Sequence, residues 1–264
     1  MTTQTKRLPA GRKADLVAFV AESGQVTVAQ LASEFKVSVD TIRRDLDTLH
    51  SIGAVVRTHG GAVSPKGQAK PDTQVDDRVA VHFDAKQKIG AAAAALVNDH
   101  DAVMLGSGTT VLAALPNLAQ SKGLIVVTNS LLIPDRLPPG VTRDVYLLGG
   151  AVRIDGQATV GPVVLPGSIN SEHQINCDLA IIGVGGVSAT EGITTSHVGE
   201  AQMMSEMMRV SRRVAILADS SKFNAVLFSQ ICMLDEVDYL VTDREPPVDL
   251  KETLKNAGVE LIVA

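Results

Sequence analysis

The sequence predicts an α/β protein in two parts: a helical segment closed by a small β-hairpin and, behind it, a Rossmann-like, mostly parallel sheet covered by helices. Three observations carry this. Apolar residues recur at helical spacing in three short blocks before residue 53. After residue 80, short apolar runs alternate with helical segments, the pattern of a parallel sheet. Between the two, residues 64–78 turn to Pro, Gly, Lys, Gln and Asp, with little apolar surface to anchor them. A chain of 264 residues also exceeds the usual single-domain length.

In chain order, Ala14, Leu16, Val17, Phe19 and Val20 predict a first helix over residues 11–22, closed by Ser23-Gly24. Residues 28–35 predict a second, and Lys36-Val37-Ser38 a tight turn into a third that ends near Gly53. Ser38 is its expected N-cap, and Asp40 complements the dipole of its first turn. The β-prone residues 55–58 run into Gly60-Gly61 as a small hairpin or wing. Residues 1–62 therefore read as a winged helix-turn-helix domain, 63–79 as a linker and 80–264 as the α/β domain. In the latter, strands are expected at 102–105, 124–127, 145–148, 179–182, 214–218, 239–241 and 259–263. Helices are expected at 84–97, 110–118, 199–209 and 250–256.

Composition narrows the function classes. Hydrophobic residues make up 45% and charged residues 20%, enough for a sizeable core and against wholesale disorder. Aromatics are 3% with no Trp, which disfavours a single-strand binder built on base-stacking platforms. No stretch approaches the apolar length of a membrane span, and MTTQTKRLPAGRK carries no apolar export core. A cytoplasmic protein without a membrane partner is expected. Cys177 and Cys232 stand far apart, outside any CxxC, and read as buried reduced thiols. The six histidines form no metal-ligand cluster, and neither metal nor cofactor is expected. The net charge of −5 is unevenly placed: residues 1–65 hold eight Lys/Arg against six Asp/Glu, the remainder sixteen against twenty-three. The slight basic surplus coincides with the helix-turn-helix.

On a helical wheel, Val39, Ile42, Leu46 and Leu49 share one side of the third helix and Asp40, Arg44, Asp47 and Ser51 the other, with Thr41 and Arg43 on the flanks. One face packs; the other is free to present its N-terminal turns to a DNA major groove. The alternative is a solvated face on which Asp40 and Arg44 form an i,i+4 ion pair.

Leu105-Gly106-Ser107-Gly108-Thr109-Thr110 follows an expected strand and opens an expected helix, so that N–H groups and hydroxyls can converge on an anion. Such a turn is as often only a turn. There is no Walker-type phosphate loop, and Gly183-Val184-Gly185-Gly186 has Ser188 in place of the third glycine of a dinucleotide fingerprint. That segment reads as a close-approach turn. Lys222 is either a point-charge phosphate ligand or a surface lysine. Glu200 and Asp219 either accept hydrogen bonds from a ligand or cap the elements they begin. Met203, Met204, Met207 and Met208 mark a core or subunit-contact face of one helix.

Val37-Ser38, Thr41-Ile42-Arg43-Arg44-Asp45-Leu46 and Arg57-Thr58-His59-Gly60-Gly61-Ala62 resemble the DeoR family of bacterial sugar-metabolism regulators. The resemblance continues through Lys86 before Ile89-Gly90, Ser107 to Thr110, Val127-Thr128-Asn129-Ser130 and Gly149-Gly150 before Arg153. Further on it includes Asp178 before Ile182-Gly183, residues 191–195, Glu200-Ala201 and Asp219-Ser220-Ser221-Lys222-Phe223. It implies that the third helix reads DNA and the wing touches its backbone, with Ser38, Asp40, Thr41, Arg43, Arg44, Arg57 and His59 as contacts. It also implies an effector domain similar to phosphosugar isomerases and coenzyme A transferases. That sensor domain would hold a phosphorylated sugar or polyol through Ser107, Gly108, Thr109, Thr110, Asn129, Arg153, Glu200 and Lys222. The chain departs from the family at Gly11, where Glu often stands, at Gly106, usually Asp, near Met204, usually Lys, and at Asn224, usually Gly.

The resemblance thus implies a non-enzymatic transcription regulator, a repressor that binds double-stranded operator DNA as a homodimer or higher even-numbered homo-oligomer. An isomerase or transferase using Glu191, Glu200 or Asp178 as base has no need of residues 1–60. An RNA-binding or partner-docking winged helix keeps those residues for another target.

Overall fold

The computed structural model describes residues 12–13, 15–17, 19–20, 25–51, 54–57, 61–63, 75–163 and 175–264. The chain divides into two compact units, Met1–Asp72 and Thr73–Ala264.

In the first unit, α1 is helical wherever it is described between residues 12 and 20. Strand β1 (Gln25–Thr27) leads into α2 (Val28–Phe35) through a capping box: the Thr27 hydroxyl accepts the Gln30 N–H and the Gln30 side chain accepts the Thr27 N–H. Lys36 takes the left-handed conformation (φ 51°), which ends α2 and turns the chain into α3 (Val39–Ser51). Ser38 caps α3 as expected, its hydroxyl accepting the Thr41 N–H at 3.2 Å. Strands β2 (Val56–Arg57) and β3 (Gly61–Val63) pair antiparallel, and β1 joins β3 on its other side. Leu16, Val20, Leu31, Ile42, Leu46 and Leu49 are central to the core. Phe19 and Phe35 meet edge to face beside it, ring centroids 5.8 Å apart. Val39, expected on the packed side, is 39% exposed: it occupies the first position of α3, ahead of the buried Ile42.

The second unit opens with α4 (Val75–Ala80) and α5 (Phe83–Ala94). α4 lies largely inside the expected linker. Val75 and Val79 stand one helical turn apart in a polar stretch, Val75 buried in the core and Val79 packed against it, and that pair is enough to dock a short helix. There follow β4 (Ala102–Leu105), the single turn α6 (Thr109–Leu112), β5 (Leu124–Thr128), α7 (Ile133–Arg136), β6 (Thr142–Leu147), β7 (Ala151–Arg153) and β8 (Ala158–Val160). Beyond them come β9 (Leu179–Gly183), β10 (Gly186–Ser188), β11 (Gly192–Thr195), α8 (Val198–Arg209) and β12 (Val214–Leu217). β13 (Ser229–Cys232), β14 (Tyr239–Thr242), α9 (Val248–Asn256) and β15 (Glu260–Val263) complete the unit.

Strands β15, β14, β12, β9, β4, β5 and β6, in that order, form a seven-stranded sheet whose neighbours are all parallel, and all seven expected strands lie in it. Strands β10, β11 and β13 form a small antiparallel sheet, and β7 and β8 a hairpin. Met104, Ala180, Ile182 and Ile216 face one apolar cluster, which contains the four methionines of α8. Their neighbours Val103, Leu105, Leu179, Ile181, Ala215 and Leu217 face the other, which contains Ile89 and Ala93 of α5. The central strands are buried on both faces, as crossover helices require, while the edge strands β6 and β15 are exposed or half-buried. The helix expected at 110–118 is broken: Pro116 has no N–H and its ring would clash with the Leu112 carbonyl, so α6 stops at Leu112 and Leu115–Gln120 is a 3₁₀ turn.

Gly90 is the point where α5 meets the end of α6, and a β-carbon there would stand 2.5 Å from the Ala113 carbonyl. Helix propensity alone favours Gly90→Ala by about 1 kcal/mol. The clash outweighs it, and the variant is expected to lose about 1–3 kcal/mol, read as a lower urea midpoint at unchanged slope.

Candidate nucleic-acid interface and anion site

Burial of Ile42, Leu46 and Leu49 fixes the rotation of α3 and leaves Asp40, Arg43, Arg44 and Asp47 exposed, with Thr41 half-buried beside them. Arg44, in the middle of that face, has no acidic partner among the described residues. The ion pair anticipated between Asp40 and Arg44 goes instead to Arg43, at 3.5 Å and largely exposed, where it is worth little. The Ser38 and Thr41 hydroxyls meet at 2.8 Å, closing the start of the helix. Arg57 on β2 forms an ion pair with Asp47, which ties the wing to the exposed face of α3. His59 lies outside the described residues.

Beneath this face Asp45 turns inward. Its carboxylate accepts the Arg12 Nε–H at 2.7 Å, with the side chains 8% and 16% exposed, and the pair joins α3 to α1. Neither residue was among the expected site residues, although Asp45 falls at i+3 from Ile42, on the apolar stripe itself.

In the second unit the Ser107–Thr110 loop, Asn129 and Lys222 follow the carboxyl ends of β4, β5 and β12, the edge where open α/β sheets hold ligands, whereas Arg153 and Glu200 stand on β7 and α8. After β4 come Ser107 and Gly108, then the buried Thr109 and Thr110 that open α6. Among the described residues nothing accepts a hydrogen bond from the Ser107 or Gly108 N–H. A β-carbon on Gly108 would stand 3.2 Å from the Gly183 Cα at the end of β9, so the two turns do approach closely. With α6 four residues long, an anion here would meet the loop's own N–H and hydroxyl groups rather than the dipole of a long helix.

Two strands away, β12 ends in buried Asp219, whose carboxylate accepts the Ser221 N–H at 3.0 Å; of its two expected roles the cap is the one seen. Lys222 closes the same turn. Beside them stands a residue absent from the expected ligands. Lys86 of α5 is 7% exposed, and its ammonium donates to the Arg78 carbonyl. Burial pushes its pKa down, the Asp219 carboxylate pulls it back up, and the Lys222 and Arg78 cations lower it further. Asp243 stands in the same place, its carboxylate accepting the Ser220 N–H at 2.6 Å. Lys86 was legible as a polar residue on the stripe of Ile89, Gly90 and Ala93, all buried in the same helix.

On the other side, Asn129 follows β5 and is buried. Its Nδ2 donates to the Thr159 carbonyl at 3.0 Å, while its Oδ1 has no partner among the described residues. Arg153 on β7 pairs with Glu200 of α8 at 3.1 Å, and the Thr195 hydroxyl donates to the other Glu200 oxygen at 3.2 Å. His197 caps α8, its Nδ1 accepting the Glu200 N–H at 3.3 Å. Of the departures from the family pattern, Asn224 is left-handed (φ 57°), a conformation glycine takes freely and Asn tolerates. Gly106 is required by neither φ nor space, since a β-carbon there meets nothing closer than 3.6 Å. Met204 is buried in the core.

Among the described residues no cluster could hold a metal ion, and no helix is long and apolar enough to cross a membrane. Cys177 and Cys232 are free and buried; burial first, then neighbouring carboxylates, push their thiols up to about 11 and about 12.

Residues 12–68 match the DeoR-like helix-turn-helix domain and residues 81–244 the DeoR C terminal sensor domain. The chain belongs to the DeoR family. It is a DNA-binding transcription regulator of that family. It is 35% identical to the HTH-type transcriptional repressor GlcR of Bacillus subtilis, over 93% of this chain and 92% of that one. It is 31% identical to the transcriptional repressor AccR of Agrobacterium fabrum, over 88% of each. Among solved structures it is similar to ribose 5-phosphate isomerase from Plasmodium falciparum, 16% identical over 52% of each chain with a TM-score of 0.37, a likeness too slight to bear on function.

In this DeoR-family chain, Arg12→Met leaves Asp45 buried without its cation. The expected cost is about 3–5 kcal/mol. Urea titration followed by circular dichroism should show the first unit unfolding early while the transition of the second stays in place, since the two have separate cores.

Proposed function

We propose that this protein is a cytoplasmic repressor of sugar or polyol metabolism genes. Its first unit binds double-stranded operator DNA, its second binds a phosphorylated sugar or polyol, and the connection between them ends at α4. Arg44 carries the first part: an exposed guanidinium at the centre of the outer face of α3, without an acidic partner among the described residues. Arginine on a helix in the major groove is the commonest reader of guanine. Thr41 and Arg43 flank it for bases or phosphates, Ser38 and Asp40 close the start of the helix, and Arg57 with His59 meets the backbone from the wing. The relatives GlcR and AccR are repressors, which supports that sense of regulation. A symmetric operator calls for an even-numbered homo-oligomer with the dimer as its minimal unit.

The positive charge of Lys86 and Lys222 supports the second part. These lysines and the loop from Ser107 to Thr110 take the phosphate, while the unpartnered Asn129 Oδ1 and the Arg153–Glu200 pair take sugar hydroxyls. Two of the three carboxylates that an isomerase would use as base have structural work: Asp178 accepts the Ala102 N–H at 2.9 Å and Glu200 holds Arg153.

Arg44→Ala is expected to cost about 1–3 kcal/mol of operator affinity. Wild-type binding by the folded variant in a gel-shift titration would move the reading surface off α3. Lys222→Ala is expected to weaken sugar-phosphate binding by about 1.5–3 kcal/mol, and Thr109→Val to weaken it as well, both measured by calorimetry over a ligand panel. The ligand-induced shift in operator affinity, about 5- to 150-fold in wild type, should shrink in step. A ligand whose affinity survives both substitutions places the pocket elsewhere.

A further inference from the structure

The face that α3 turns outward is not uniformly basic. Asp40, in its first turn, and Asp47 further on stand on the same stripe as Arg44, because positions 40, 44 and 47 follow one another at helical spacing. The two acids are held differently. Asp47 is paired with Arg57 of the wing. Asp40 meets Arg43 at 3.5 Å with its own side chain 77% exposed, a contact too long and too wet to quench its charge.

The N-terminal turns of a helix laid in a major groove are the part that meets base edges. Three polar side chains mark the start of α3: Ser38, Asp40 and Thr41. The Ser38 hydroxyl accepts the Thr41 N–H at 3.2 Å and meets the Thr41 hydroxyl at 2.8 Å, so these two are engaged with each other. Asp40 remains, with two oxygens that only accept and one long contact among the described residues. Burial of Ile42, Leu46 and Leu49 on the opposite side stops the helix from rolling this carboxylate away from the groove.

A carboxylate in that position is selective. Guanine presents two acceptors, N7 and O6, and thymine presents O4, so both repel it. Adenine sets its N6 amine beside the acceptor N7, whereas cytosine offers the N4 amine with no acceptor next to it. On DNA that lacks the amine, the same charge faces phosphates without compensation, and non-specific association depends on charge alone.

We propose that Asp40 is a specificity-determining residue of the DNA-binding domain: its carboxylate accepts a hydrogen bond from a cytosine amine beside the base read by Arg44, and it penalises every other base there. The proposal rests on the reading of α3 as the helix that contacts DNA, and it adds an acceptor to the donors of that face. Arg44 supplies the attraction. Asp40 supplies the cost of a wrong sequence, and discrimination is the difference between the two.

Selection from a randomised duplex library by the full chain, with the bound pool sequenced, tests this. The wild-type pool is expected to hold cytosine at one position of each half-site and guanine at the position read by Arg44. Asp40→Asn, whose amide matches adenine N6 and N7, should move the cytosine position to adenine, and Asp40→Ala should leave it degenerate. On a duplex without the selected sequence, both variants should bind about 3- to 5-fold more tightly than wild type at low salt, because one repelling charge is gone. Circular dichroism melts establish folding, and either variant decides alone if the other does not fold. A pool whose cytosine position is unchanged in the variants overturns the proposal: Asp40 then only complements the helix dipole, and α3 stands as the reading helix. So does a wild-type pool with guanine but no fixed cytosine. A wild-type pool with no enriched sequence, or one that Arg44→Ala leaves unaltered, overturns the reading of α3 as well.

Discussion

In a parallel sheet every strand ends at the same edge, and what the second unit offers a ligand follows from that constraint. Because β4, β5, β9 and β12 all run one way, the Ser107–Thr110 loop, Asn129, Gly183 and Asp219 arrive along one line although they are scattered through the sequence. Over the central strands the faces are unavailable for polar chemistry: alternate residues enter apolar clusters on opposite sides. Charged groups are therefore concentrated where the strands stop. Asp219 and Lys86, almost wholly buried, are tolerated there because each has hydrogen-bond partners.

The first unit solves a different problem, holding one face of one helix still. Ile42, Leu46 and Leu49 set its rotation by burial, and the Arg12–Asp45 pair fixes it from below with directional hydrogen bonding that apolar contacts lack. The wing arginine enters any encounter with DNA already paired. On the proposed reading Arg57 exchanges Asp47 for a phosphate, so its net contribution to affinity is a difference between two ion pairs, and the exposed first pair makes the exchange inexpensive.

The large elements were legible because they obey periodicity over enough residues. The central strands β4, β5, β9, β12 and β14 are mostly buried on both sides and read as apolar runs, and α3 and α8 show their stripes plainly. Strands β1, β7, β8 and β10 are three residues long and offer no period to detect. α4 was hidden by a polar composition in which only Val75 and Val79 carry the packing. Asp45 and Lys86 were given no role of their own for a shared reason: each is a charged residue on an apolar stripe, where the stripe itself draws the eye. The Arg153–Glu200 pair joins residues distant in sequence and depends on the β7–β8 hairpin, which no local pattern reveals.

The order of strands in the sheet also sets the order in which a growing chain can assemble it. Strands β4, β5 and β6 are neighbours in both sequence and space, so this half of the sheet can pair before the strands of the other half have been made. The other edge of β4 waits for β9, which is made only after β5, β6 and the β7–β8 hairpin. During that interval a central, strongly apolar strand presents an unpaired edge, the geometry that recruits a second nascent chain instead of its own. Until β9 has been made, β4 is the strand of this half at which pairing with the wrong chain is open.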